Sequence, residues 1–199
     1  MQILLIGEYS GFHNTLKKGF EKLGHSVTLV GDGDQYKNYA VDISTRPKLF
    51  NNNWLLERFK NLVYKVLNID LLKVEQGLRY LMIKSQLKNY DIVQLINSDA
   101  LNTYTWLAKP TLNYIFKNNT KIILSACGDD TPFVDWLLNN NEPYHLLTPY
   151  LNGRIPKKKV QFSLKYITKP YRKQYNFIKT HVAHIIPTDM DYYISLKDK

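Results

Sequence analysis

The stretch Gln2 to Ile6 is a short apolar run that stops at Gly7, the pattern of a strand buried on both faces of a parallel sheet. From about Asn14, the apolar positions Leu16, Phe20 and Leu23 recur at helical spacing while Lys17, Lys18, Glu21 and Lys22 fall elsewhere, and Gly24 is placed to end the helix. Ser26 to Val30, rich in β-branched residues, predicts a second strand, so the chain opens with a right-handed strand, helix, strand unit. Gly31 to Asn53 is polar and reads mostly as loop, with Ala40 to Ile43 as a short strand. Two helices follow, Trp54 to Leu67 and Leu71 to Leu87, the second expected to bury Leu71, Leu72, Leu78, Leu81 and Met82 on one broad face. Asp91 to Ile96 reads as a strand, Thr103 to Phe116 as a helix entered or interrupted at Pro110, and Lys121 to Ala126 as another buried strand. Cys127 to Pro156, with Pro132, Pro143, Pro149 and Pro156, reads as irregular apart from a short helix over Phe133 to Leu138. A helical stripe of Tyr171, Tyr175, Ile178 and Val182, a strand over Ala183 to Ile186 and a terminal helix capped by Asp189 complete the pattern.

Such alternation predicts an α/β fold, a doubly wound, Rossmann-like parallel sheet with helices on both faces. Ligands of these sheets bind beyond the carboxyl ends of the strands, which directs attention to Gly7–Asn14, Gly31–Asp34, Asn97–Asp99, Cys127–Asp130 and Thr188–Asp191. A chain of 199 residues, 44% hydrophobic and 22% charged, can bury a core and is neither disordered nor collagen-like. No apolar run is long enough to cross a bilayer, the first one lacks the flank and length of a signal peptide, and the lone Cys127 can build neither an internal disulfide nor a zinc site. These features predict a cytoplasmic chain. The formal charge of +10 sits in one segment: between Pro143 and Thr188 there is no Asp or Glu, while Arg154, Lys157, Lys158, Lys159, Lys165, Lys169, Arg172, Lys173 and Lys179 lie there.

The strand-end loops carry the candidate chemistry. Gly7 and Gly11 bracket a turn ahead of a helix, where backbone can approach a ligand closely, but the G-x-G-x-x-G spacing of a nicotinamide or flavin site is absent. His13 is either a donor facing the ligand or a plain residue of the helix N-terminus, and Asn14 follows it. Asp32-Gly33-Asp34 has the spacing of a metal-holding carboxylate pair, yet Asp-Gly is foremost a turn dipeptide, and no metal is assigned. Asn97-Ser98-Asp99 and Cys127-Gly128-Asp129-Asp130 end strands where a sugar hydroxyl could be held, the former with a helix cap as its competing role. No G-x-S-x-G elbow exists and Cys127 has no activating partner, which leaves hydrolase chemistry without residues.

Ile3-Leu4-Leu5-Ile6-Gly7-Glu8-Tyr9-Ser10-Gly11-Phe12-His13 resembles the opening of bacterial family-4-like glycosyltransferases. The likeness continues in Leu23-Gly24-His25-Ser26-Val27-Thr28-Leu29-Val30, similar to their "LGHEVTLV", in Tyr90 to Asn97, similar to their "YDVVH" strand, and in Lys121 to Asp130, similar to the strand ending in "HGxD". The resemblance implies one half of a GT-B architecture: residues 1–199 as the N-terminal, acceptor-side domain, with the donor-binding domain and its E-x7-E glutamates outside the chain. Glu8, Glu21, Glu57, Glu75 and Glu142 include no pair at that spacing, and Asn97 and Cys127 stand where those enzymes often carry histidine. The length suits one such half, since domains of roughly 100–200 residues are the norm.

The implied function is the acceptor-binding half of a transferase that moves a sugar from a nucleotide-sugar donor to a glycan or lipid-linked acceptor in polysaccharide biosynthesis, metal-independent and without a cofactor. Gly11, His13, Asn14, Asn97, Asp99, Gly128, Asp129 and Asp130 are the candidate acceptor residues; no catalytic residue is assigned. Lys157, Lys158, Lys159, Arg172 and Lys173, interleaved with aromatics, are the candidates for contact with an anionic membrane at the inner face of the cytoplasmic membrane, against a merely solvated basic face. The alternative is a stand-alone, non-catalytic Rossmann-like binding domain using that segment for nucleic acid or membrane; no nucleic-acid motif is present, and none is expected as a partner.

Overall fold

The structure, a computed structural model, describes residues 1–51, 53–139 and 144–197. Its elements in chain order are β1 (Gln2–Ile6), α1 (Phe12–Lys22), β2 (Ser26–Gly31), β3 (Ile43–Ser44), α2 (Trp54–Leu67), α3 (Leu71–Ile83), β4 (Ile92–Leu95), α4 (Thr105–Lys117), β5 (Lys121–Ala126), α5 (Thr131–Asn139), the single turns α6 (Thr148–Leu151) and α7 (Gln161–Leu164), α8 (Lys169–Lys179), β6 (His184–Pro187) and α9 (Met190–Leu196). All six strands are parallel, in the order β3-β2-β1-β4-β5-β6. This is the doubly wound Rossmann-like order, in which the connections leave in opposite directions on either side of the β1/β4 boundary and open a crevice there.

The strand side chains alternate between two cores. Ile3, Leu5, Val27 and Leu29 meet Leu16 and Phe20 of α1 on one face, while Leu4, Ile6, Val30, Val93, Leu95, Ile122 and Leu124 meet Tyr80 of α3, Leu112 and Ile115 of α4 and Tyr175 and Ile178 of α8 on the other. Because Ile3 through Ile6 are fully buried, β1 reads as a continuous apolar run, as a central parallel strand must. A third, smaller core of Val134, Leu137, Leu147, Val160, Leu164 and Tyr166 gathers the chain between β5 and β6.

Three expectations are corrected here. The strand expected over Ala40 to Ile43 is the two-residue β3, Ile43 pairing with Val30. The stretch read as irregular from Cys127 to Pro156 contains α5, one turn longer than expected, and α6; its residues 140–143 lie outside the described residues. Most informative is α3: its buried residues are Glu75, Gln76, Gly77 and Tyr80, whereas Leu78 and Met82 are exposed. Gly77 is the reason, because a Cβ there would come within 2.5 Å of Thr103 Oγ1 and 2.9 Å of Leu107 Cβ, so its bare backbone is what lets α4 approach. Glu75 is buried because it has acceptors' work to do: its carboxylate takes the amides of Lys48 (2.8 Å) and Leu49 (3.0 Å) and the Arg79 guanidinium (2.7 Å).

Candidate functional site

Parallel strands bring all the strand-end loops to one rim, and the side chains confirm the contact. Gly7 (φ +85°) is pressed against the loop after β4, where an added Cβ would sit 2.5 Å from Ile96 Cγ2 and 2.9 Å from the Ala100 carbonyl. The Tyr9 hydroxyl reaches Asn97 Oδ1 (3.5 Å), and the Cβ position of Gly128 lies 3.9 Å from the Tyr9 ring. The Asn97 amide donates to the Asp129 carbonyl (3.2 Å) and Tyr166 hydroxyl (3.4 Å). Asp130 ties the β4 and β5 loops together: it accepts from the Ser98 amide (2.8 Å), the Ser98 hydroxyl (2.5 Å) and the Thr131 amide (2.7 Å). Burial pushes its carboxyl up to about 6 against those three bonds. The loops expected to share a cleft therefore lie against one another at one rim, but the cleft beside them is lined by other residues, Asp32, Arg46, Asp70, Lys73, Gln76 and Asn102 among them.

Individual roles are revised, however. His13 is fully buried, its Nδ1 donating to the Gly7 carbonyl (2.7 Å) and its Nε2 without a partner among the described residues; burial brings its pKa down to about 4, so the ring is neutral. It braces the turn from beneath and cannot touch an acceptor. Asn14 is engaged by Glu8, whose Oε2 accepts from its backbone amide (2.8 Å) and side chain (2.6 Å), and also donates to the Ala40 carbonyl. Gly11 faces Tyr39, 3.1 Å from its Cβ position. Asn97 and Asp130 are buried with their polar groups taken up by neighbours, which makes them positioning residues of the rim. Asp129 stays half-buried and accepts from Ser163; burial raises its carboxyl above the usual range, with Ser163 and Lys165 opposing.

Two lysines that the sequence did not place at the site converge there. Lys165 forms an ion pair with buried Asp99 (2.8 Å) and lies over the rings of Tyr166 and Tyr171 at 4.7 and 5.4 Å. The second carboxylate oxygen of Asp99 is buried with no partner among the described residues. Lys73 of α3 is held below the ordinary lysine range by burial first and by Lys165 next, Asp99 and Asp70 opposing. No motif announces either residue: Lys165 is one cation of the basic segment, and Lys73 falls within the predicted helix Leu71 to Leu87. Lys73 opens into a cleft of about 430 Å³ whose polar wall is Asp32, Arg46, Asp70, Lys73, Gln76 and Asn102. Asp32 behaves as the turn residue expected of it, accepting from the Asp34 amide (3.1 Å), while its other oxygen takes Asn102 (3.1 Å) across the rim. Among the described residues no cluster of metal-ligating groups is present.

The anion position of a dinucleotide site is filled by the protein itself. In such sites pyrophosphate meets the free amides at the first helix N-terminus. Here Glu8, 1% exposed, puts its carboxylate on the Asn14 amide of α1. A diphosphate would meet like charge there.

The basic residues expected at a membrane divide. Lys157, Lys158 and Lys159 are exposed on one turn ahead of buried Val160, Arg172 is held by both oxygens of Asp135 at 2.5 Å, and Lys173 edges an apolar groove between α4 and α8 with Trp106 and Phe177. No helix among the described residues is long and apolar enough to cross a membrane.

No known protein family and no curated protein matches the chain. Among solved structures it is similar to the 3-alpha-hydroxysteroid dehydrogenase from Pseudomonas sp. B-0831 complexed with NADH, with 11% identity and a TM-score of 0.36 over 90% of this chain and 63% of that one. The chain thus spans less than two thirds of that enzyme's length. The doubly wound class rests on the strand order itself.

Proposed function

We propose that this chain is the acceptor-binding lobe of a two-lobed glycosyltransferase, which takes a sugar from a nucleotide-sugar donor held on a second lobe and delivers it to a glycan or lipid-linked acceptor in polysaccharide biosynthesis. The observation that carries the reading is the cleft beside the β1/β4 crevice, where carboxylates, amides and cations alternate around one opening. Such a wall suits a ligand rich in hydroxyls, each of which both donates and accepts. Lys73 and Lys165 would serve an acceptor carrying a phosphate or carboxylate. The segments that resemble family-4-like enzymes support the same reading, because they form β1, its loop, α1 and β2, the elements that lead into this rim. Glu8 at the α1 N-terminus argues against the dinucleotide alternative.

Three measurements test the reading. NADH titrated into the chain, followed by its fluorescence, should not saturate; saturable binding below about 100 μM, tightened by Glu8→Gln, would make the dinucleotide reading the better one. In the two-lobed protein, Lys73→Ala and Asp32→Asn should each lower transfer roughly tenfold to a hundredfold with unchanged unfolding midpoints, the loss expected for one hydrogen bond to a charged group. Transfer unaffected by both changes removes this cleft from the reaction. The 199-residue chain alone should turn over no nucleotide sugar, and turnover by it would contradict the two-lobed assignment.

A further inference from the structure

None of the residues of α2 is buried, although its apolar and polar residues are segregated along the helix. Leu55, Phe59, Leu62 and Val66 repeat at i, i+4, i+7 and i+11 and form one stripe, exposed by 61, 52, 59 and 69%. Only Leu56, Lys60 and Val63, on one edge of the apolar arc, are half-covered. Asn53 caps the helix by accepting the Leu55 amide, so the stripe is presented on a properly started helix. An apolar stripe left in water at this scale marks a surface that something else covers.

The charges beside the stripe select the occupant. Arg58 and Lys65 fall along one flank with Trp54, whose ring the Arg58 guanidinium overlies at 4.9 Å, and Glu57 is the lone acid of the helix. An isologous pairing of two α2 stripes would bring the Arg58 and Lys65 rows of two chains of formal charge +10 along one seam. A bilayer surface with anionic headgroups instead accepts the stripe into its acyl boundary and the flanking cations at headgroup level, where Trp and Tyr also settle. We propose that α2 is an interfacial helix that lies on an anionic lipid surface through Leu55, Phe59, Leu62 and Val66, with Arg58 and Lys65 at the headgroups. This stands independently of the transferase reading. It moves the membrane contact from the Lys157–Lys159 turn, which has no comparable apolar stripe beside it, to the opposite side of the β4 strand in sequence.

The test is vesicle flotation of the full chain with phosphatidylcholine vesicles and with vesicles containing ~30 mol% phosphatidylglycerol. The chain should float with the anionic vesicles at low salt and far less with the neutral ones. Leu55→Ser with Phe59→Ser should weaken partitioning more than tenfold, and Arg58→Glu with Lys65→Glu, which leaves the apolar stripe intact, should abolish the preference for anionic lipid. Replacing Lys157, Lys158 and Lys159 by Ser should change little. The proposal is overturned if the chain does not float, if the three lysines rather than α2 govern flotation, or if light scattering without lipid gives a dimer that Leu55→Ser and Phe59→Ser dissociate. Circular dichroism of each variant keeps loss of folding distinct from loss of binding.

Discussion

His13 should make the fold acid-sensitive in a way that one substitution can isolate. Its ring is fully buried, bonded through Nδ1 to Gly7, and has a pKa of about 4. In the unfolded chain the same ring titrates at about 6.5. Below that value the unfolded state takes up a proton that the native state refuses, so stability present at neutral pH drains away as pH falls from the unfolded value toward the folded one. Linkage puts the loss at about 2 kcal/mol between about pH 7.5 and about pH 5. His13→Phe fills a similar space and cannot titrate, but it gives up the bond to Gly7, a cost of about 1 kcal/mol at neutral pH. The wild-type chain should therefore be the more stable at pH 7.5 and the variant the more stable at pH 5, with the two urea-denaturation curves crossing near pH 6. Parallel pH dependences, or a ring pKa above 6 in a proton-detected titration of the folded chain, would refute the argument.

Asp130 should act in the opposite sense, since burial raises its folded pKa to about 6 and the native state then holds a proton that the unfolded carboxyl releases. Its ionisation costs stability as pH rises through that value, so wild type should gain about 1 kcal/mol over Asp130→Asn on going from about pH 7.5 to about pH 5, read by the same denaturation series; a difference that shrinks toward acid contradicts this. Gly7→Ala should destabilise by about 3 kcal/mol or more, combining a left-handed backbone with a Cβ 2.5 Å from Ile96 Cγ2, and a thermal midpoint within a few degrees of wild type would show that the β4 loop can yield.

The sheet was legible because its central strand is buried on both faces and the strands beside it are largely so: the runs from Ile3 to Ile6 and from Ile122 to Ser125 admit few other readings. Where the pattern misled, a polar group had a reason to be inside. Leu78 and Met82 of α3 were expected inside and are exposed, because Gly77 and the amides held by Glu75, neither visible as periodicity, decide which side is covered. The topological rule brings the strand-end loops to one rim, yet it does not say which side chains face outward there. His13 and Asp130 had the chemistry of ligand contacts but brace the loops, while Lys73 and Lys165 reach the rim from a helix and from a segment more than sixty residues along from Asp99, a pairing only the tertiary fold creates.

The small core between β5 and β6 gives the rim a hinge in free energy. Val134, Leu137, Leu147, Val160 and Leu164 form a core distinct from the two that flank the sheet, so the amides of this segment should open together in native-state hydrogen exchange, below the global unfolding free energy. Lys165 belongs to that segment and Asp99 to the sheet. Each opening of the segment would therefore withdraw the cation from a carboxylate that stays in place, and the charge a ligand meets at the rim would be set by a local equilibrium while β1 and β4 remain intact.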